Sequence, residues 1–106
     1  MSESFVFKAD LAKQLPEAPA DSVISQTLVK NDFIEVSIFK FAQGQELSEH
    51  TSAFPAIVQI IEGQGSMGLG KETVSLKPGA WVYMEPNLLH SLKTTTPMVM
   101  LLTQRK

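Results

Sequence analysis

Apolar and polar residues alternate with a period of two along much of this sequence, and turn-forming residues interrupt the alternation at short intervals. The stretch FIEVSIFKF at 33–41 is rich in β-branched and aromatic residues, and one of its two alternating faces is clearly more apolar than the other. Such a pattern is typical of strands, whose successive side chains point to opposite faces. Similar segments predict strands at 23–29, 33–41, 46–51, 57–62, 72–76, 80–84, 88–92 and 98–103, with 63–70 as the first arm of a hairpin.

Many short strands and almost no helix predict an all-β domain, either a sandwich or a closed barrel. One or two helical turns are expected at Ala9–Leu15, where Pro16 ends them. Ser4–Phe7 has the composition of a further short strand. The predicted division is an N-terminal arm at 1–21 and a β-barrel at 22–106.

Composition limits the class of protein. A chain of 106 residues is long enough for one domain with a modest core. Its net charge of −2, without a dense cluster of Lys and Arg, predicts no nucleic-acid partner. The lack of cysteine rules out disulfides and thiolate zinc sites. No apolar run has the ~20 residues that a transmembrane helix needs, and the start does not resemble a signal peptide. We therefore expect no membrane partner and a cytoplasmic location.

One glycine pattern resembles a nucleotide-binding motif. The segment Gly63–Gly68 reads GQGSMG and fits the pattern GxGxxG. That pattern binds a pyrophosphate only where its last glycine opens a helix. Here the chain continues into the strand-like segment 72–76, with Gly70-Lys71 as a hairpin turn. We interpret these glycines as part of a hairpin.

The candidate catalytic or ligand-binding residues of the chain are its two histidines. His50 precedes the apolar strand at 57–62, and His90 ends a second glycine-started strand segment. No nucleophile elbow, HExxH helix or obvious carboxylate pair is present in the sequence. The two segments suggest a barrel in which both imidazoles lie in the interior. The competing interpretation is that one histidine caps a strand and the other lies at the surface.

The spacing around these histidines resembles the paired motifs of the cupin superfamily. The first cupin motif reads Gly, five residues, His, one residue, His, three or four residues, Glu, six residues, Gly. The second reads Gly, five residues, Pro, one residue, Gly, two residues, His, three residues, Asn. The residues in register with these motifs are Gly44, His50, Gly63, Gly79 and His90. The similarity spans roughly residues 40–94 and implies a small jelly-roll β-barrel.

The departures from the motifs affect the metal ligands. Ser52 stands where the family has its second His, and Ala56 where it has Glu. The second motif differs at Glu85, Asn87 and Thr94. By the resemblance, the remaining ligands are His50 and His90, which would hold a divalent transition metal (nickel, zinc or iron) only weakly. A metal-free pocket that uses both imidazoles and a purely structural pair are the alternatives.

The ligand pocket implied by this barrel is largely apolar. Methionines and aromatics at alternating strand positions usually fill a barrel core. For each such pocket residue, the alternative interpretation is therefore that it belongs to the core. Gln59 is the most unusual member, because it is polar within an otherwise apolar strand. The predicted pocket residues are His50, Ser52, Phe54, Gln59, Trp81, Met84, His90 and Met100.

Two functions remain open at this stage. The first is a non-catalytic cupin protein that binds a small molecule and a weakly held metal inside the barrel. The second is a small metal-dependent oxygenase or isomerase of the cupin class. We also expect a homodimer, because a small barrel must protect its edge strands and Ser4–Phe7 is apolar enough to join a neighbour's sheet.

Overall fold

The computed structural model describes residues 4–106, which form two antiparallel sheets and one short helix. A single turn of 3-10 helix covers Leu11–Lys13, within the segment where helical turns are expected. The strands are β1 (Val23–Lys30), β2 (Ile34–Phe41), β3 (Glu46–His50), β4 (Ala56–Glu62), β5 (Gly65–Leu69), β6 (Glu72–Leu76), β7 (Trp81–Met84), β8 (His90–Thr94) and β9 (Met98–Arg105).

The strand order is that of a small jelly-roll barrel, which confirms the predicted fold class. One sheet has the order β1-β2-β9-β4-β7, and the other has the order β3-β8-β5-β6. β8 begins two residues later than expected. Its predicted start lies in a turn around Asn87, which has a left-handed φ of 67° and donates its backbone N–H to the Ser52 carbonyl at 2.7 Å.

The core lies between the two sheets and follows the period of two. On β4 the residues Ala56, Val58 and Ile60 are buried in the core, whereas the residues between them are only partly buried. Met98 and Met100 of β9 lie in the same cluster. Alternation of this kind fixes the register, because a slip by one residue would move every side chain to the opposite face.

The outer face of the five-stranded sheet is partly covered by the N-terminal arm. Ile38 and Val99 are 1% and 3% exposed although neither belongs to the inner cluster. On the same face of β2 as Ile38, the Lys40 ammonium donates to the carbonyls of Ala12 and Leu15 at 3.1 and 3.0 Å. The arm is therefore attached to this face of the barrel.

The expectation of a strand at Ser4–Phe7 is wrong for the isolated chain. This segment pairs with no strand among residues 4–106, and Phe5, Val6 and Phe7 are exposed. Strand propensity alone does not form a strand without hydrogen-bonded pairing to another one. Within the same described range, no helix is long and apolar enough to cross a membrane.

Candidate functional site

The two histidines lie side by side on neighbouring strands of the four-stranded sheet. His50 on β3 pairs directly with His90 on β8. Their ring centroids are 4.2 Å apart, and the ring planes cross at 60°. The register shifts between Leu47 and His50, which marks a bulge in β3 just before the histidine. Bulges of this kind often re-aim a side chain near a functional site.

Each imidazole is held by a hydrogen bond to the backbone carbonyl two residues earlier in the chain. His50 Nδ1 lies 2.7 Å from the carbonyl oxygen of Ser48, and His90 Nδ1 lies 2.8 Å from that of Leu88. A carbonyl oxygen can only accept, so each Nδ1 must carry the proton and donate it. In the neutral ring this leaves the lone pair on Nε2 available. The two side chains thus offer matched acceptor nitrogens.

The histidines line a small cavity with mixed polar and apolar walls. Its volume is about 150 Å³. Most of the wall is apolar, with the serine hydroxyl, one amide and one carboxylate as polar additions to the imidazoles. The lining residues are His50, Ser52, Phe54, Ala56, Met84, Glu85, Leu88, His90, Leu102 and Gln104.

Ser52 acts within this cavity as a hydrogen-bond acceptor that is already engaged. Its hydroxyl oxygen accepts from the Phe54 backbone N–H at 3.3 Å and from the Gln104 side-chain amide at 3.4 Å. Both bonds are long and therefore weak, and both use the oxygen as an acceptor. The hydroxyl proton is left to donate, so Ser52 fits a ligand's acceptor atom better than it fits a metal ion.

The donor set fits a divalent metal only in part. Two matched imidazole nitrogens, each oriented by a backbone carbonyl, are suitable ligands for nickel, zinc or iron. Among residues 4–106, however, no group of three or more His, Asp, Glu or Cys side chains forms a metal site. Glu85 lines the cavity without joining the pair in such a group. A metal would be bound by two neutral nitrogens and no anionic protein ligand.

Five of the eight pocket residues proposed from the sequence line this cavity: His50, Ser52, Phe54, Met84 and His90. The structure places the other three elsewhere. Gln59 and Trp81 are paired with each other across β4 and β7, on positions that alternate with the core residues, so they face outward. Met100 is 5% exposed and belongs to the core cluster.

The cavity also contains residues outside the pocket proposed from the sequence: Ala56, Glu85, Leu88, Leu102 and Gln104. Ala56 stands where the cupin motif has its glutamate, and it lines the same cavity as the histidines. Gln104 had a detectable signal, because it continues the inward-facing series Met98, Met100 and Leu102 of β9 as its only polar member. Glu85 and Leu88 lie in the turn before β8, which strand periodicity does not describe.

Thr94, at the position of the cupin asparagine, connects the end of β8 to the turn before β3. Its hydroxyl donates to the Ala42 carbonyl at 2.9 Å and accepts from the Gln45 backbone N–H at 2.9 Å. Its backbone carbonyl accepts from the Gly44 N–H at 3.1 Å. Thr94 is 1% exposed. A buried hydroxyl here positions β3, which carries His50, against β8, which carries His90.

The fold is similar to the folds of several solved structures. The chain is 25% identical to a conserved protein of unknown function from Streptococcus pyogenes, with a TM-score of 0.86 over 100% of this chain and 97% of that chain. It is 22% identical to a cupin superfamily protein from Desulfitobacterium hafniense, with a TM-score of 0.80 over 85% and 83% of the two chains.

An enzyme of the same fold is more distant. A salicylate 1,2-dioxygenase mutant from Pseudoaminobacter salicylatoxidans is 16% identical, with a TM-score of 0.75 over 88% of this chain and 29% of that chain. No protein-family model matches the sequence, and neither does any curated protein. At such identities the similarity establishes a shared fold.

Proposed function

We propose that this chain, which has the cupin fold, binds a small organic molecule in the cavity beside His50 and His90. The observation that carries the proposal is the matched orientation of the two rings. Each Nδ1 is engaged by a carbonyl of its own strand region, so both Nε2 atoms remain for a ligand at one site.

The size and lining of the cavity limit the ligand. A water molecule takes up about 30 Å³ in the liquid, so 150 Å³ holds about five waters or a compact molecule of a few heavy atoms. The imidazoles accept hydrogen bonds from such a ligand, and the Ser52 hydroxyl donates one. Met84, Leu88 and Leu102 form the apolar wall. The ligand is therefore a small, partly apolar molecule that carries both a donor and an acceptor.

A divalent transition metal is a weak second ligand of the same site. Nickel, zinc or iron would bind through the Nε2 atoms of His50 and His90, and water or the organic ligand would complete the coordination. Bound there, the metal would supply a positive charge that polarises an oxygen of the ligand. Without a protein carboxylate, its affinity is expected to be low.

The alternative of a metal-dependent oxygenase or isomerase fits this donor set less well. Catalytic metal sites commonly retain three protein ligands and leave one position open for water or substrate. Here two imidazoles remain, and the Ser52 hydroxyl, which accepts weakly from Phe54 and Gln104, is a neutral and poor metal ligand. The observed side chains thus favour binding over metal catalysis.

A cavity-filling substitution tests the proposal. Screening by thermal shift, with small alcohols, hydroxy acids and amides, identifies compounds that stabilise the native chain through binding. Ala56→Leu adds volume inside the cavity, because Ala56 is 4% exposed and lines it. This variant should lose the ligand-induced shift, although overpacking lowers its own stability by about 1–3 kcal/mol.

Ala53→Leu is the matched control, because Ala53 is exposed and does not line the cavity. It should keep the full ligand-induced shift. The proposal fails if no compound stabilises the native chain, or if the compounds that do so stabilise Ala56→Leu equally well.

A further inference from the structure

A second concavity lies on the outer face of the five-stranded sheet, where β7, β4 and β9 run side by side. Its volume is about 300 Å³, at the small end of the range for ligand pockets. Of its lining residues, only Ala56 also lines the histidine cavity. We call it the outer groove, and its lining residues are Pro55, Ala56, Ile57, Tyr83, Thr103 and Arg105.

The strand register brings three of these residues into one row across the sheet. Ile57 on β4 pairs with Tyr83 on β7 and with Thr103 on β9. Each of them alternates with core-packed residues of its own strand, so all three side chains project from the outer face. Neighbouring strands are about 4.8 Å apart, so the backbones of Tyr83 and Thr103 are about 10 Å apart with Ile57 between them. The row therefore forms an apolar floor with an aromatic ring on one side and a hydroxyl on the other.

Arg105 places a positive charge at the end of this row. It follows Thr103 by two residues on β9, so both side chains project from the same face. The backbone N–H of Arg105 donates to the Pro55 carbonyl at 3.2 Å, which attaches the end of β9 to the segment before β4. Arg105 is the only arginine of the chain. Its guanidinium thus lies beside the apolar floor at a fixed position of the backbone.

The guanidinium of Arg105 is not neutralised by the described part of the chain. Within residues 4–106 the acidic partners in ion pairs are Glu35 and Glu46, and each is paired only with lysines. No Asp or Glu lines the outer groove. A guanidinium presents parallel N–H donors that fit the two oxygens of a carboxylate. The groove therefore favours an anion, and its single positive charge matches a monoanion.

The outer groove is also open to a ligand. Tyr83 is 48% exposed, and Arg105 is exposed. Lys40, which holds the N-terminal arm, pairs with Val99 near the start of β9. Arg105 is six residues further along the same strand, about 20 Å away. The contact that attaches the arm is thus at the other end of the strand.

We propose that the outer groove binds a small aromatic carboxylate. The Arg105 guanidinium and the Thr103 hydroxyl donate to its carboxylate oxygens, and its ring packs on Ile57 against the ring of Tyr83. The apolar floor explains why the anion carries a flat apolar body, since aromatic pairs add to the gain from burying apolar surface. The site is independent of the ligand of the histidine cavity, because the two lie on opposite faces of the sheet.

NMR with benzoate as the probe tests the site directly, because the chain has one arginine and two histidines. The side-chain Nε–H of Arg105 gives a single signal for the outer groove, and the imidazole signals report on the other cavity. Benzoate added at constant pH should shift the Arg105 signal saturably, with one molecule per chain, and leave both imidazoles unshifted. Benzamide has the same shape without the charge, and it should cause no such shift at the same concentration.

Two variants with the same loss of charge separate the site from the net charge. Arg105→Gln should weaken benzoate binding about 10-fold or more, because it removes the charge-assisted hydrogen bonds. The backbone amide signals of Ile57 and Tyr83 report binding in this variant. Lys106→Gln is the control, because Lys106 is the next residue but does not line the groove. At physiological salt it should change the affinity by less than about 2-fold.

Four results would overturn the proposal. The absence of a saturable shift at millimolar benzoate would mean that the groove holds no carboxylate. Equal shifts with benzamide would remove the role of charge, and equal shifts with inorganic phosphate would remove the role of the aromatic ring. Shifts of the imidazoles without a shift of the Arg105 signal would place benzoate in the histidine cavity. Equal weakening by Arg105→Gln and Lys106→Gln would leave only an effect of net charge.

Discussion

His50 and His90 are directly paired residues of adjacent strands, with ring centroids 4.2 Å apart and with the same Nδ1-to-carbonyl hydrogen bond on each ring. The pairing gives one site two equivalent ring nitrogens, whereas each strand alone would present one. The rest of the cavity supplies apolar walls and a serine hydroxyl. The predictions below test this site and the scaffold that holds it.

Adding the two missing ligands should convert a weak metal site into a strong one. Ser52 and Ala56 line the same cavity as the histidines. Ser52→His adds a nitrogen ligand just after β3, and Ala56→Glu adds an anionic oxygen ligand at the start of β4. Both strands are rigid, so the added ligands need little further ordering. Affinity for nickel, zinc or iron should therefore rise by several orders of magnitude. Isothermal titration calorimetry with each metal measures the change.

The same chemical changes made outside the cavity provide the control for this experiment. Ser25→His and Ala53→Glu introduce an imidazole and a carboxylate at exposed positions. Their metal affinity should match that of the native chain. If the cavity variant binds no better than this control, positions 52 and 56 do not share a site with the histidines.

Gly63 should be far less replaceable than Gly79, although both have a φ of 92°. A Cβ at Gly63 would overlap the Pro97 carbonyl oxygen, whereas a Cβ at Gly79 has nothing within 4 Å. Gly79→Ala should cost about 1–2 kcal/mol, because a left-handed conformation is strained in a residue with a Cβ. Gly63→Ala should cost several kcal/mol more, as measured by urea unfolding. Equal losses would contradict the close approach of the two chain segments.

Thr94→Val should destabilise the barrel because it removes a buried hydroxyl that both donates and accepts. The Ala42 carbonyl and the Gln45 N–H would lose their partner. Leaving such groups unsatisfied costs about 1–3 kcal/mol each. Thr73→Val, at an exposed position of β6, should change the free energy of unfolding by less than about 0.5 kcal/mol. A similar small change for both variants would rule out the structural role of Thr94.

The sequence predicted the strands and the fold class because both depend on local pattern. Alternation in segments such as 33–41 is visible without any knowledge of tertiary structure, and turn residues separate the segments. The meeting of His50 and His90 is suggested by two similar glycine-started strand segments and by motif spacing. Their direct pairing is a tertiary relationship that neither strand specifies by itself.

The pocket proposed from the sequence overlaps the histidine cavity only in part, because β4 is apolar on both faces. One face packs in the barrel core, and on the outer face of the sheet Ile38 and Val99 are buried as well. With Ile57 and Ile61 as apolar as Val58, the pattern alone cannot tell which face Gln59 joins. The cavity residues Glu85 and Leu88 depend on the turn at Asn87, whose hydrogen bond to Ser52 crosses between distant segments.

The most direct test of the site is nitrogen-15 NMR of the two imidazoles, because the chain contains only two histidines. With both imidazoles neutral, long-range proton–nitrogen correlation should show that each ring carries its proton on Nδ1 and none on Nε2. Titration with zinc should then shift both Nε2 signals together, with one metal per chain. A ring protonated at Nε2, or a metal that shifts one ring and leaves the other unchanged, would contradict the shared site.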